Sequence, residues 1–215
     1  MQQHLEVQNS ILVRQLGLTD YESTWHAMQQ FTAERTSNTP DELWLTEHLP
    51  VYTLGLNRKN VRLANESNIP LVLTDRGGKI TYHGPGQLIL YVLLDLNRHQ
   101  LNVRKLVSML ENTVIKLLAE YGVNSSAKTD APGVYVSEEK IASLGLRIKN
   151  NYCYHGLSLN INMDLKPFEA IDPCGYVGLK VTQTKNLSID TNVKKAGEQL
   201  VDILLAKLAD GQKHD

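Results

Sequence analysis
Cys174 lies at the centre of the run IDPCGYVG over 171–178, between Pro173 and Gly175. Proline fixes φ and lacks a backbone donor, and glycine punctuates chains at bends. The segment therefore reads as a turn and not as the interior of a helix or strand. Structural cysteines are usually small apolar groups buried in regular elements. A thiol on a tight turn is presented outward, where it acts as a nucleophile once a neighbour lowers its pKa from about 8.5.

Lys140 is the candidate neighbour, through a parity argument. In 140–148 the even positions are Lys140, Ala142, Leu144, Leu146 and Ile148; in 153–161 the odd positions are Cys153, His155, Leu157, Leu159 and Ile161. Each set lines one face of a strand. Residues paired across a hairpin share a face, so even must pair with odd, and Asn150-Asn151 supplies a two-residue loop tolerant of positive φ. This register puts Lys140 and His155 among leucines and isoleucines. A lysine desolvated there has a lowered pKa. The alternative is that Lys140 precedes the strand and its amine reaches water.

Residues 76–87 read RGGKITYHGPGQ. Gly77 and Gly78 permit close backbone approach, Gly84-Pro85-Gly86 forces a turn, and Arg76, Lys79 and His83 supply donors. A phosphate loop is disfavoured because neither established glycine spacing is present. A plain loop and one wall of a small-molecule pocket both remain open. His83, Cys153, His155 and Cys174 invite a zinc reading, but no CxxC or HxxxH spacing supports it, so no metal is expected.

The elements that must position these groups follow from periodicity. Strands are expected at 10–16, at 42–54 with a break at Pro50, at 70–75, and at 88–96, the last buried on both faces. Residues 55–68 are polar and read as loop. A helix over 20–36 has Asp20 as cap and Tyr21, Trp25, Met28 and Phe31 on one side. A second, 103–121, carries an apolar stripe of Val103, Leu106, Val107, Leu110, Val114, Leu117, Leu118 and Tyr121, with Gly122 as the stop. More strand follows at 133–136, 140–148 and 152–162, and a closing helix at 192–209. Several strands between successive helices predict an α+β fold, a mixed β-sheet with flanking helices.

The chain of 215 residues is expected to form a single domain over 1–215, fraying at about 210–215. Its apolar fraction of 42% and charged fraction of 21% are those of ordinary soluble proteins. A formal charge of −1 offers no global attraction for nucleic acid or an anionic membrane. The longest nearly apolar run, LILYVLL at 88–94, is too short to span a bilayer. The opening MQQHLEVQNS lacks the basic start and apolar stretch of a secretory signal, and the two cysteines fit a reducing, cytoplasmic setting.

RGGKITYHGPGQ, then DAPGVYV with KIASLGLRI over 130–148, then HGLSLNINMDL over 155–165, then IDPCGYVG, resemble the lipoyl(octanoyl) transferases, in order and from about Leu16 to Leu187. The resemblance implies the fold shared by biotin- and lipoate-protein ligases. It implies transfer of an octanoyl group from octanoyl-acyl carrier protein to a lysine of lipoyl domains of 2-oxoacid dehydrogenases or of the glycine-cleavage H protein, without a cofactor. Carried over by residue, Cys174 is the acyl-bearing nucleophile and Lys140 the group that lowers its pKa. The acyl pocket is implied to involve Arg76, Gly77, Gly78, Lys79, Ile80, Thr81, Tyr82 and His83, then Ser143, Leu144 and Gly145, then Gly156, Leu157 and Ser158. Lys79 stands where many members have glutamine, and Ser158 where alanine is common. Leu144, Leu146, Leu157 and Leu159 are candidate walls of an apolar slot or plain core. Arg58, Lys59 and Arg62 form a basic cluster that either docks an acidic carrier or is merely solvated. The rivals are an ATP-dependent lipoate- or biotin-type ligase, a non-catalytic acyl carrier and a cysteine hydrolase.

Overall fold
The architecture comes from a computed structural model that describes residues 11–63, 68–172 and 178–210. Its elements run β1 (Leu12–Thr19), α1 (Tyr21–Glu34), β2 (Glu42–His48), β3 (Val51–Leu54), β4 (Leu71–Leu73), β5 (Ile80–His83), β6 (Gln87–Asp95), α2 (Val103–Glu120), β7 (Ser126–Ala127), β8 (Gly133–Val136), β9 (Glu139–Lys149), β10 (Tyr152–Asn160) and α3 (Val193–Asp210). A seven-stranded mixed sheet has the order β1-β2-β6-β10-β9-β8-β7, and a second sheet has the order β4-β3-β5. The expected α+β class is observed.

Helices cover both faces of the large sheet. The α2 residues Leu106, Leu110, Val114, Leu117 and Leu118 and the α3 residues Leu200 and Leu204 bury against Leu43, Leu45, Leu88, Leu90, Val92 and Leu94. On the opposite face, Met28 of α1 meets Trp44, Ile89, Tyr91, Leu93 and Tyr154. Strand β6 is accordingly buried on both sides along nearly its whole length. Asp20 caps α1 by accepting the Ser23 N–H at 2.9 Å, and Asn102 caps α2 by accepting the Lys105 N–H at 2.9 Å. The α2 stripe is narrower than its periodicity suggests: Val103 is exposed, and Val107 and Tyr121 are half-buried.

The break at Pro50 sends one apolar run into two sheets, β2 into the large one and β3 into the small one. The glycine-rich segment contains β5, which the density of loop-forming residues concealed. Tyr52, Leu54, Ile80 and Tyr82 of the small sheet form a separate core with Met163, Phe168 and Ile171. The two sheets meet closely at Gly86 (φ +84°), where a Cβ would stand 1.9 Å from the Asn162 carbonyl oxygen.

The predicted hairpin register is observed. Ile148 pairs with Cys153, and Asn150 and Asn151 form the loop with φ of 51° and 63°. The side of the sheet assigned to Lys140 and His155 is corrected. Val134 pairs with Ala142 but Tyr135 pairs with Lys140, so Ile141 is an extra, bulged residue. A bulge reverses the alternation beyond it. Ile141 and Ala142 both enter the helix-side core, and Lys140 turns to the opposite face with Tyr135. His155 leaves the apolar row by a different device, a φ of +62° within β10. That left-handed conformation carries its ring to the α1 side, where it stacks on Tyr154 with ring centroids 5.0 Å apart.

Candidate active site
The strand faces turned away from α2 and α3 form the floor of a cleft, and the glycine-rich segment forms its wall. The cleft encloses about 530 Å³ of empty space, part of it open to solvent. Of the residues expected there, Arg76, Gly78, Lys79, Ile80, Thr81, His83, Ser143, Leu144, Gly145, Gly156, Leu157 and Ser158 line it. Two do not. Gly77 instead donates its N–H to the Leu146 carbonyl oxygen at 2.9 Å, joining wall to floor. Tyr82 alternates to the other side of β5 and enters the small-sheet core, because successive strand residues face opposite ways. Leu146 and Leu159 are not among the lining residues and pack with the helix-side core, while Leu144 and Leu157 touch both.

Tyr21, Ile89, Tyr91 and His155 also line the cleft. Tyr21 and Ile89 carry no local signal beyond their apolar periodicity, and Tyr91 sits in a strand buried on both faces. The positive φ of His155 brings its ring to the cleft.

Arg76 is held rigidly. Its Nη2 donates to the Thr53 carbonyl oxygen at 2.7 Å and to Thr53 Oγ1 at 2.8 Å, and its Nη1 donates to the Gly77 carbonyl oxygen at 2.9 Å. Asp75 organises the adjoining wall. It accepts from Trp25 Nε1 at 2.9 Å, Gln29 Nε2 at 3.2 Å, His155 Nε2 at 3.0 Å and the Tyr154 hydroxyl. Burial raises the Asp75 carboxyl, but these four donors outweigh it and hold the group well below the usual carboxylate range. The imidazoles move the other way. Burial pushes His48 down to about 4 and His83 down to about 3, and it also lowers His155 despite the Asp75 contact. All three are neutral near pH 7. His48 donates from Nδ1 to the Thr19 carbonyl oxygen at 3.2 Å, leaving Nε2 to accept the Tyr91 hydroxyl at 2.6 Å.

Lys140 is 1% exposed. Its Nζ donates to the Pro132 carbonyl oxygen at 3.0 Å and lies 5.4 Å from the centre of the Tyr135 ring. Its stem fills the space left by Gly133, where a Cβ would approach Lys140 Cε to 2.4 Å. The backbone of Lys140 pairs with residues 180–182: its N–H donates to the Lys180 carbonyl oxygen, and its carbonyl accepts the Thr182 N–H, both at 2.9 Å. Cys174 lies outside the described residues. Asp172, two positions before it, accepts from Arg62 Nε at 3.0 Å, and Arg62 Nη2 also donates to the Glu169 and Ile171 carbonyl oxygens at 3.0 Å. Arg62 is therefore tied to this segment while staying exposed; Arg58 and Lys59 are exposed as well.

Cys153 stands apart from the two histidines of the zinc reading. Cys153 is buried on the helix side, its thiol pushed up to about 12 by burial, while His83 and His155 line the cleft. Among the described residues, no group of three or more His, Cys, Asp or Glu could hold a metal ion. Among the same residues, no helix is long and apolar enough to cross a membrane.

Comparison with known proteins places this architecture. The lipoyl protein ligase A/B catalytic domain family matches residues 20–205. The octanoyltransferase of Dechloromonas aromatica (strain RCB) is 56% identical over 197 residues, covering 92% of this chain and 96% of the relative. That of Shewanella oneidensis is 51% identical over 209 residues, covering 97% and 95%. Among solved structures, a putative lipoate protein ligase of T. acidophilum with bound lipoic acid superposes with a TM-score of 0.75 at 12% identity, over 92% of this chain and 86% of that one. Biotin protein ligase from Aquifex aeolicus does so with a TM-score of 0.57 at 14% identity, over 96% and 73%. These two share the fold. Sequence identity across nearly the whole length goes further: the chain belongs to the lipoyl protein ligase A/B catalytic domain family and, within it, to the octanoyltransferases, which are acyltransferases.

Proposed function
We propose that this octanoyltransferase takes its octanoyl group from octanoyl-acyl carrier protein, holds it as a thioester on Cys174, and delivers it to a lysine of a lipoyl domain or glycine-cleavage H protein. In the first step the Cys174 sulfur bonds to the acyl carbon, the carrier's carbon–sulfur bond breaks, and the carrier thiol leaves with a proton. In the second, the acceptor amine bonds to that carbon, the Cys174 bond breaks, and the amine proton passes to the enzyme. The first exchange is nearly balanced in free energy; the second yields the more stable amide. A thiolate suits both, being a strong nucleophile and a good leaving group.

The observation that carries this reading is the bulge at Ile141, which turns Lys140 onto the cleft side of the sheet. Residues 180–182 pair with the Lys140 backbone, and Lys180 is only six positions after Cys174. A span of six residues covers at most about 20 Å, so connectivity permits the thiol to reach the amine. A cation there favours the thiolate, and a neutral amine takes the acceptor's proton. Burying about six methylenes of the chain at ~0.8 kcal/mol each contributes up to roughly 5 kcal/mol to binding.

Mass spectrometry of the intact protein mixed with octanoyl-acyl carrier protein tests the reading. One octanoyl group on Cys174, formed without ATP and passed to a lipoyl domain, is the expected result. Transfer that requires ATP would assign the chain to ligase chemistry instead, and a Cys174→Ser protein of undiminished activity would remove the acyl-enzyme.

A further inference from the structure
Ser143 and Ser158 stand directly opposite each other across β9 and β10, both on the cleft face. Ser158 is only 5% exposed. Neither hydroxyl has a hydrogen-bond partner among the described residues. Residues paired in this way hold their Cβ atoms about 5 Å apart, so the two hydroxyls form one polar notch beside Gly145, Gly156, Leu144 and Leu157, in a floor that Ile89, Tyr91 and His155 continue. A buried hydroxyl covered by hydrocarbon loses its water and gains nothing in return. A saturated chain lying over the notch therefore meets two unsatisfied groups, and a chain carrying an oxygen there satisfies them.

The notch lies at the Lys140 end of the floor. Ser143 pairs with Gly133 on its other side, and Gly133 is the residue against which the Lys140 stem packs. Resting on the octanoyl-transfer reading, this places the notch beside the carboxyl end of a bound acyl group and away from its methyl end. We propose that Ser143 and Ser158 form a specificity site for medium-chain acyl thioesters bearing an oxygen on the carbon β to the carbonyl, such as 3-hydroxyacyl groups. Each hydroxyl can donate and accept, so the pair accommodates a β-hydroxyl as donor or acceptor. The bonds made and broken are those of octanoyl transfer, and the β-oxygen takes no part in them.

The test compares octanoyl, 3-hydroxyoctanoyl and 7-hydroxyoctanoyl groups, each on acyl carrier protein, by kcat/KM for transfer to a lipoyl domain. The native protein is expected to use the 3-hydroxy chain within a few-fold of the plain chain and to discriminate against the 7-hydroxy chain. Ser158→Ala lowers the ratio of 3-hydroxyoctanoyl to octanoyl transfer by about tenfold, the weight of one hydrogen bond. Ser143→Ala lowers it similarly, and Ser158→Thr, which keeps the hydroxyl, restores it. A ratio unchanged in both alanine variants, or preference for the 7-hydroxy chain, overturns the proposal while leaving octanoyl transfer in place. Failure of the native protein to transfer any of the three overturns the parent reading first.

Discussion

Lys140 packs its stem where Gly133 has no side chain and presents its amine to a backbone carbonyl, so its position is set by neighbours that do no chemistry. Replacing it by methionine keeps the stem and removes the charge. Lys140→Met is expected to reduce octanoyl transfer by about 10²–10⁴-fold while the far-ultraviolet circular dichroism spectrum is retained; transfer within a few-fold of native would take Lys140 out of the mechanism. The buried imidazoles make a separate prediction about stability. His48 and His83 have folded-state values near 4 and 3, against about 6.5 in the unfolded chain. Between those limits only the unfolded chain takes up the proton. Their contribution is complete above about pH 6.5 and is lost as pH falls, so the melting temperature should decline steadily from pH 7 to pH 4. His48→Gln, which keeps one donor and one acceptor, should make that slope shallower. A flat profile in the native protein would contradict the neutral, buried assignment.

Strands β9 and β10 show how far a sequence pattern reaches. Alternation along 140–148 and 153–161 fixes both the register and the Asn150-Asn151 loop, because one face is buried and a slip by one residue would expose it. The same alternation misplaces Lys140 and His155. A bulge adds a residue without altering composition, and one positive φ turns a side chain without altering periodicity, so neither leaves a mark in the pattern. Both irregularities belong to the candidate site, where local regularity gives way to function. Most of the residues that the resemblance implies line the cleft; Tyr82 does not, because the glycine-rich run hides a strand, and with it the alternation that points Tyr82 away. Two element-level predictions follow from this geometry. Asn151 adopts a φ of 63°, a conformation glycine takes without strain, and Asn151→Gly should raise the melting temperature by about 1–3 °C. Deleting Ile141 removes the extra residue but leaves Lys140 opposite Tyr135 on the cleft face, so transfer should be retained at a lowered melting temperature. A folded but inactive deletion variant would show that the amine is not aimed by this pairing alone.

Across the whole molecule, the surface adds what the cleft lacks. Arg62 is exposed but occupied in holding residues 169–172, whereas no such tie is seen for Arg58 and Lys59 among the described residues. Reversing both charges, Arg58→Glu with Lys59→Glu, should raise KM for the carrier-bound substrate about tenfold at low salt and much less at high salt, since exposed charges are screened over about 8 Å at physiological ionic strength. A KM insensitive to reversal at low salt would place carrier docking elsewhere. The joint between the sheets has a further consequence. The chain passes between them from β2 to β3 and from β5 to β6, and Gly86 accepts the Ile161 and Asn162 N–H groups at 3.2 and 3.0 Å on the same margin. The two layers are thus sewn along one side, like the frame of a purse. Gly77 ties the layers again at Leu146, so a tail lying between them is bounded by covalent crossings on one margin and by a hydrogen-bonded join elsewhere.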